Sequence, residues 1–149
     1  MIVFVDTSAL ASAYLGDESD GSWIAEVIFD GPDPVVVSEL ADLEIARTLA
    51  GARQSGRIDI DEMNDRLDAY NDHTTTDGPI GALPVTSDTI QRAKQFVLRG
   101  KLRSLDSLHL AAAQLLAETS NEDVVILTRD DKQSLGAEDL GFTLYPAPG

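Results

Sequence analysis

The 149-residue chain has no cysteine, and its two histidines, His73 and His109, lie far apart in sequence. Disulfides, thiol nucleophiles, zinc knuckles and iron–sulfur clusters are thereby excluded, a histidine-built zinc site is disfavoured, and any metal must be held by oxygen. Lysine is scarce: Lys94, Lys101 and Lys132 are the only three among 11 cations, set against 26 acids of which 18 are Asp, for a net charge of −15. That balance argues against a broad basic surface for nucleic acid, and it suits a salt-rich cytoplasm where self-repulsion is screened. No apolar run approaches the roughly 18 residues that cross a bilayer, and the start MIVFVDTSAL has neither a basic n-region nor a small-residue cleavage site. The expected location is cytoplasmic, without membrane contact. Repeats, linkers and low-complexity stretches are absent, and 43% hydrophobic with 25% charged residues is an ordinary globular composition, so residues 1–149 read as one domain.

The unbroken apolar runs are short and β-branched. Ile2–Val5, Val35–Val37 and Val124–Leu127 predict buried strands, Ile80 to Val85 predicts a strand shortened by Pro84, and Phe142 to Tyr145 a last one. Between them, helices are expected from a Thr7 or Ser8 cap to Leu15, from a Ser19 or Asp20 cap to Phe29, and from Ser38 to Gln54. Others are expected over Asp59–His73, Ser87–Leu98, Ser104–Glu118 and, weakly, Lys132–Leu140. The Ser38–Gln54 helix is apolar around most of its circumference, which predicts near-complete burial. Strands of buried rather than alternating composition, separated by helices, argue for an α/β fold: a mostly parallel sheet of about four to five strands covered on both faces, with its ligand crevice beyond the carboxyl ends of the strands.

Several acids fall where an acid is costly or poised. Asp6 ends the first strand, Glu44 lies within the apolar third helix, Asp106 sits in the first turn of its helix, and Asp130 and Asp131 follow the strand 124–127. Each has an ordinary structural alternative: Asp6, Asp130 and Asp131 as caps, Glu44 as an i,i+3 partner of Arg47, Asp106 as a charge on a helix dipole. As a set they suit a hard dication. Carboxylates converging on one crevice repel unless a cation lies between them, and Mg²⁺ or Mn²⁺ held there can acidify a water for phosphodiester hydrolysis without any thiol or imidazole.

Four segments, VDTSAL at 5–10, SELADLEIARTLA at 38–50, LRSLDSLHLAAAQ at 102–114 and ILTRDD at 126–131, together resemble the PIN-domain ribonucleases, and among them the VapC-type toxins. The resemblance spans about the whole chain. It implies a three-layer α/β/α domain and a Mg²⁺- or Mn²⁺-dependent endoribonuclease, the toxin of a type II toxin–antitoxin system. Its catalytic and metal-holding acids would be Asp6, Glu44, Asp106 and Asp130, with Asp131 aiding or replacing Asp130. Thr7, Ser8 and Thr128 would orient those carboxylates; as bare residues they read equally as caps. His109 follows Asp106 by three positions and reads as a packing or hydrogen-bonding residue rather than a ligand. For an RNA substrate the cations near the acids are Arg99, Lys101 and Arg103, before Asp106, and Arg129 and Lys132, flanking Asp130–Asp131; Arg103 and Arg129 are the candidate phosphate contacts, with solvated helix ends as the alternative.

The family also implies a VapB-type antitoxin that blocks the acidic site, and a homodimer. Tyr14, Leu15, Trp23 and Ile24 are candidates for such a face, or for the core. A receiver-like signalling domain or a non-catalytic PIN-like binding module are the alternatives. The first lacks its paired acid, since Asp6 is followed by Thr-Ser. The second gives no reason to keep all four acids.

Overall fold

The inner strands of the sheet, Val35–Ser38, Ile2–Val5 and Val124–Leu127, turn side chains alternately into two hydrophobic cores, and the helices divide between those cores. The structure, a computed structural model, describes residues 1–16, 19–100 and 102–148. The elements are β1 (Ile2–Val5), α1 (Thr7–Leu15), α2 (Gly21–Asp30), β2 (Val35–Ser38), α3 (Leu40–Gln54), α4 (Ile60–His73), β3 (Ile80–Leu83), α5 (Ser87–Leu98), α6 (Ser104–Ser120), β4 (Val124–Leu127), α7 (Asp131–Asp139) and β5 (Thr143–Leu144). All pairings are parallel, in the order β3-β2-β1-β4-β5.

In β1 the alternation is direct. Val3 and Val5 pack with Val35, Val37, Leu10, Ile24, Ile45, Leu49 and Tyr70 under α1 to α4. Ile2 and Phe4 pack with Ile126, Leu110, Ala113, Phe96 and Ala137 under α5 to α7. The result is a three-layer α/β/α domain whose central strand has no solvent-facing side, which is why IVFV carries no polar residue. Among the described residues no helix is long and apolar enough to cross a membrane. Tyr14, Leu15 and Ile24 are core residues rather than surface ones; Trp23 is half-buried, stacked on Tyr145 with ring centres 6.5 Å apart. The Tyr14 hydroxyl, raised well above its ordinary pKa by burial, shares a 2.6 Å hydrogen bond with His73 Nδ1 and so ties α1 to α4.

The chain runs β1 to β2 to β3 in one direction, then crosses back to place β4 on the other side of β1. The order therefore reverses between β1 and β4. A crevice opens at the carboxyl ends of strands that flank such a reversal, and here those ends lead into Asp6 and Thr128–Asp130.

Several local expectations are corrected. The cap of α1 is Asp6 itself, extended at φ −82° and ψ 170°, not Thr7 or Ser8, which are already helical. Ser38 ends β2, and α3 begins at Leu40. This helix is buried along one stripe only, Ala41, Ile45, Leu49 and Ala52, whereas Leu43 is 72% exposed, so the apolar count overstated its burial. α6 begins at Ser104 as expected but runs on to Ser120, and Arg103 holds its cap position without a side-chain bond. Near α2, Asp20 also makes no capping bond and instead accepts from Trp23 Nε1 and Arg129 Nε. β5 is confined to Thr143–Leu144.

Candidate active site

Asp6 leaves β1 with only 5% of its surface exposed, yet its carboxylate is fully partnered. Oδ1 accepts from Ser8 Oγ at 2.7 Å and from the Ala9 amide at 3.2 Å, and Oδ2 accepts from the Thr128 hydroxyl. Burial raises its pKa, and the donors from Thr128, Ser8 and Ala9 oppose that rise. The same hydroxyls hold the β4–α7 turn: the Arg129 amide donates to Ser8 Oγ at 2.9 Å and the Asp130 amide to Thr128 Oγ1 at 3.0 Å. Two short hydroxyl side chains thus fasten the ends of β1 and β4 together at the floor of the crevice.

Glu44 projects from the second turn of α3. Its Oε1 accepts from Thr7 Oγ1 at 2.9 Å and from His109 Nε2 at 2.6 Å. Burial alone would raise this carboxyl, but the bond and charge of His109, the Thr7 hydroxyl and the nearby Arg47 outweigh it and hold the group below its ordinary value. Glu44 is therefore a fixed anion. His109, 3% exposed, serves it as a hydrogen-bond partner bridging α6 to α3, and its ring packs edge-on to Phe4.

Asp106, in the first turn of α6, is half-buried. Burial pushes its carboxyl up, the negative charge of Asp130 adds to that and Glu44 contributes further, with Arg103 and His109 opposing. The Arg103 guanidinium lies 3.8 Å away. Asp130 caps α7, its Oδ1 accepting from the amides of Lys132 and Gln133 at 2.8 and 3.1 Å. The buried Gln133 reaches across to the Asp106 carbonyl at 3.2 Å, setting α7 against α6.

These residues line one cleft of about 1020 Å³: Asp6, Glu44, Asp106 and Asp130 together with Thr7, Ser8, His109, Arg103 and Arg129. Four acids drawn from β1, α3, α6 and the β4–α7 turn are thus brought together. Asp131 is not; it is exposed in the first turn of α7, outside the lining. Thr128 lies just beneath, through its bond to Asp6. Arg129 pairs with Asp20 at 2.9 Å, and Lys101 lies outside the described residues. The sequence did not single out Arg47, Thr48 and Arg57 as lining residues. Arg47 carried a signal, one turn after Glu44 on the same face; Arg57 carried none.

The donor set fits a hard dication in kind. It consists of carboxylate oxygens in mutual repulsion, and among the described residues the bonds of Glu44 and Asp130 engage only Oε1 and Oδ1, leaving one oxygen of each open. Among the described residues no three of these groups stand close enough to form a ready-made cage.

Comparison with known proteins places this architecture. The PIN domain family matches residues 3–138. Ribonuclease VapC45 and Ribonuclease VapC49, both from Mycobacterium tuberculosis, are each 27% identical over 146 residues, covering 98% of this chain and 96% of theirs. Among solved structures, the M. tuberculosis toxin VapC20, described as cleaving the sarcin–ricin loop, superposes with a TM-score of 0.67 at 16% identity, over 97% of this chain and 99% of that one. PAE2754 from Pyrobaculum aerophilum gives 0.63 at 17% identity over 91% and 84%, and a toxin–antitoxin complex from Klebsiella pneumoniae gives 0.61 at 17% over 99% of both. The match along nearly all of the chain, on a sheet that carries its acids at the β1–β4 reversal, makes this protein a member of the PIN domain family.

Proposed function

We propose that this protein is a VapC-type endoribonuclease toxin that hydrolyses RNA phosphodiesters with Mg²⁺ or Mn²⁺ held by Asp6, Glu44, Asp106 and Asp130. The observation that carries this reading is the convergence of those four acids, remote in sequence, on one cleft. When bound, the ion supplies an acidified water and neutralises charge on the leaving oxygen. The chain's own residues do the rest. Ser8 and Thr128 fix both oxygens of Asp6, and Thr7 with His109 fixes Glu44 as an anion. Arg103 and Arg129 border the acids, where a phosphate backbone can be met. Asp131 has no part in this arrangement.

The partners in this reading are RNA, a VapB-type antitoxin that occludes the cleft, and a second copy of the chain. Exposed Leu43 and Leu98 are apolar side chains available for assembly. The test is incubation of total cellular RNA with purified protein in Mg²⁺, Mn²⁺ or EDTA, comparing the native chain with Asp6→Ala and Asp106→Asn. Discrete products that need the metal and both carboxylates are expected. Intact RNA under every metal, with the protein folded and free of antitoxin, would reject the reading.

A further inference from the structure

A chain of net charge −15 repels a polyanion at long range, so any grip on RNA must come from a local grouping of cations. The cleft provides one. Its four carboxylates are matched by four arginines, Arg47, Arg57, Arg103 and Arg129, although acids outnumber cations 26 to 11 in the whole chain. Their origin in the fold is ordered. The α1–α4 layer brings Glu44 with Arg47 and Arg57, the α5–α7 layer brings Asp106 with Arg103, and the sheet edge between them brings Asp6 and the Arg129–Asp130 turn. Arg103 and Arg129 are drawn towards carboxylates, Asp106 and Asp20, and Arg47 lies near enough to Glu44 to favour its ionised form. Arg47 and Arg57 stand on the other side of the sheet edge, on α3 and in the turn after it.

We propose that Arg47 and Arg57 hold phosphates of a single-stranded RNA segment on the α3 side of the cleft while Arg103 holds them on the α6 side. The strand then crosses the sheet edge from one helical layer to the other, over Asp6 and Asp106. A single strand is the form that fits. A duplex carries a charge about every 1.7 Å of its axis and would extend its phosphates over the acidic surface beyond the cleft, whereas a single strand can bend into a short cationic frame. The inference rests on the ribonuclease reading for its chemistry, but the binding can be measured without it.

The experiment is fluorescence anisotropy of a labelled single-stranded oligouridylate in Mg²⁺, on an Asp106→Asn background that does not cut. Arg47→Ala and Arg57→Ala are each expected to weaken binding about fivefold or more at low salt, and together to flatten the plot of log affinity against log salt by about 1.4 in slope, at roughly 0.7 per lost phosphate contact. Arg53→Ala changes the net charge equally from the same helix without lining the cleft, and should stay within about twofold of the parent. Arg47→Lys and Arg57→Lys should restore most of the slope. If the double alanine variant binds like Arg53→Ala, or the parent does not bind the oligonucleotide, the inference is overturned. Cleavage by the native chain decides the ribonuclease reading separately: cutting with arginine-independent binding leaves that reading standing alone, and arginine-dependent binding without cutting leaves only the inference.

Discussion

Replacing Thr128 with valine keeps the shape of the side chain and removes the hydroxyl that donates to Asp6 Oδ2 and accepts from the Asp130 amide. The first bond serves a carboxylate with 5% of its surface exposed, and a hydrogen bond to a charged group contributes about 1.5–3 kcal/mol. The Asp130 amide lies nearer the surface, where water can replace its partner, so about 2 kcal/mol is the expected loss. For a chain of this length that lowers the melting temperature by roughly 6 °C. The loss must also depend on pH. Asp6 is an acid whose folded pKa lies above the ordinary aspartate value, so stability declines as pH rises from that value through the folded pKa. Thr128 opposes this by favouring the ionised form; without it the folded pKa rises further and the decline extends to higher pH. Thermal unfolding followed by circular dichroism in EDTA should therefore show the native and Thr128→Val curves converging at low pH, where a neutral pair gives about half the bond strength, and separating towards neutrality. Thr128→Ser, which retains the hydroxyl, should recover most of the difference. A gap that is constant with pH, or a serine variant as damaged as the valine one, would refute the reasoning.

Asp106→Asn removes a charge that burial, Asp130 and Glu44 all disfavour. In EDTA it should raise stability by about 1 kcal/mol, or roughly 3 °C by differential scanning calorimetry, while abolishing RNA cleavage; a lower melting point would contradict the repulsion described for the cleft. Gly136→Ala places a Cβ 2.6 Å from Leu102 Cδ2 and 3.1 Å from its Cγ, so the partly buried Leu102 side chain must leave its place against α7. A loss of about 1–3 kcal/mol in urea unfolding is expected, and an unchanged midpoint would mean that Leu102 re-seats without cost.

The parts of the fold legible in the sequence were those where one physical demand dominates. A strand covered on both faces must be apolar at every position, so Ile2–Val5 and Val124–Leu127 could be read to the residue. Asp6 and Glu44 stood out because an acid amid apolar neighbours requires a partner. Where several residues meet the same demand, the sequence does not choose between them: Asp6, Thr7 and Ser8 can all cap α1, and the first does so because β1 runs extended straight into it. Apolar composition misjudged α3, since Leu43 faces outward while smaller Ala41 and Ala52 face the sheet. Arg57 was the least legible. It borders the cleft because α3 packs against α1, an outcome of tertiary packing that spacing along the chain does not encode, whereas Arg47 follows Glu44 by one turn.

The central position of β1 also has a consequence in time. Asp6 directly follows the first strand, while Thr128 and Asp130, which complete the cleft around it, are 122 and 124 positions further along. At about 5–20 residues per second of synthesis, β1 exists for roughly 6 to 25 s before β4 has been made to pair with its free edge. Until then a growing chain carries Asp6, Glu44 and Asp106 but neither Asp130 nor the cleft. Asp6 gains its Thr128 donor, and the cleft gains Asp130, only when nearly the whole polypeptide has been produced, so a product truncated before β4 lacks the fastening between β1 and the β4–α7 turn.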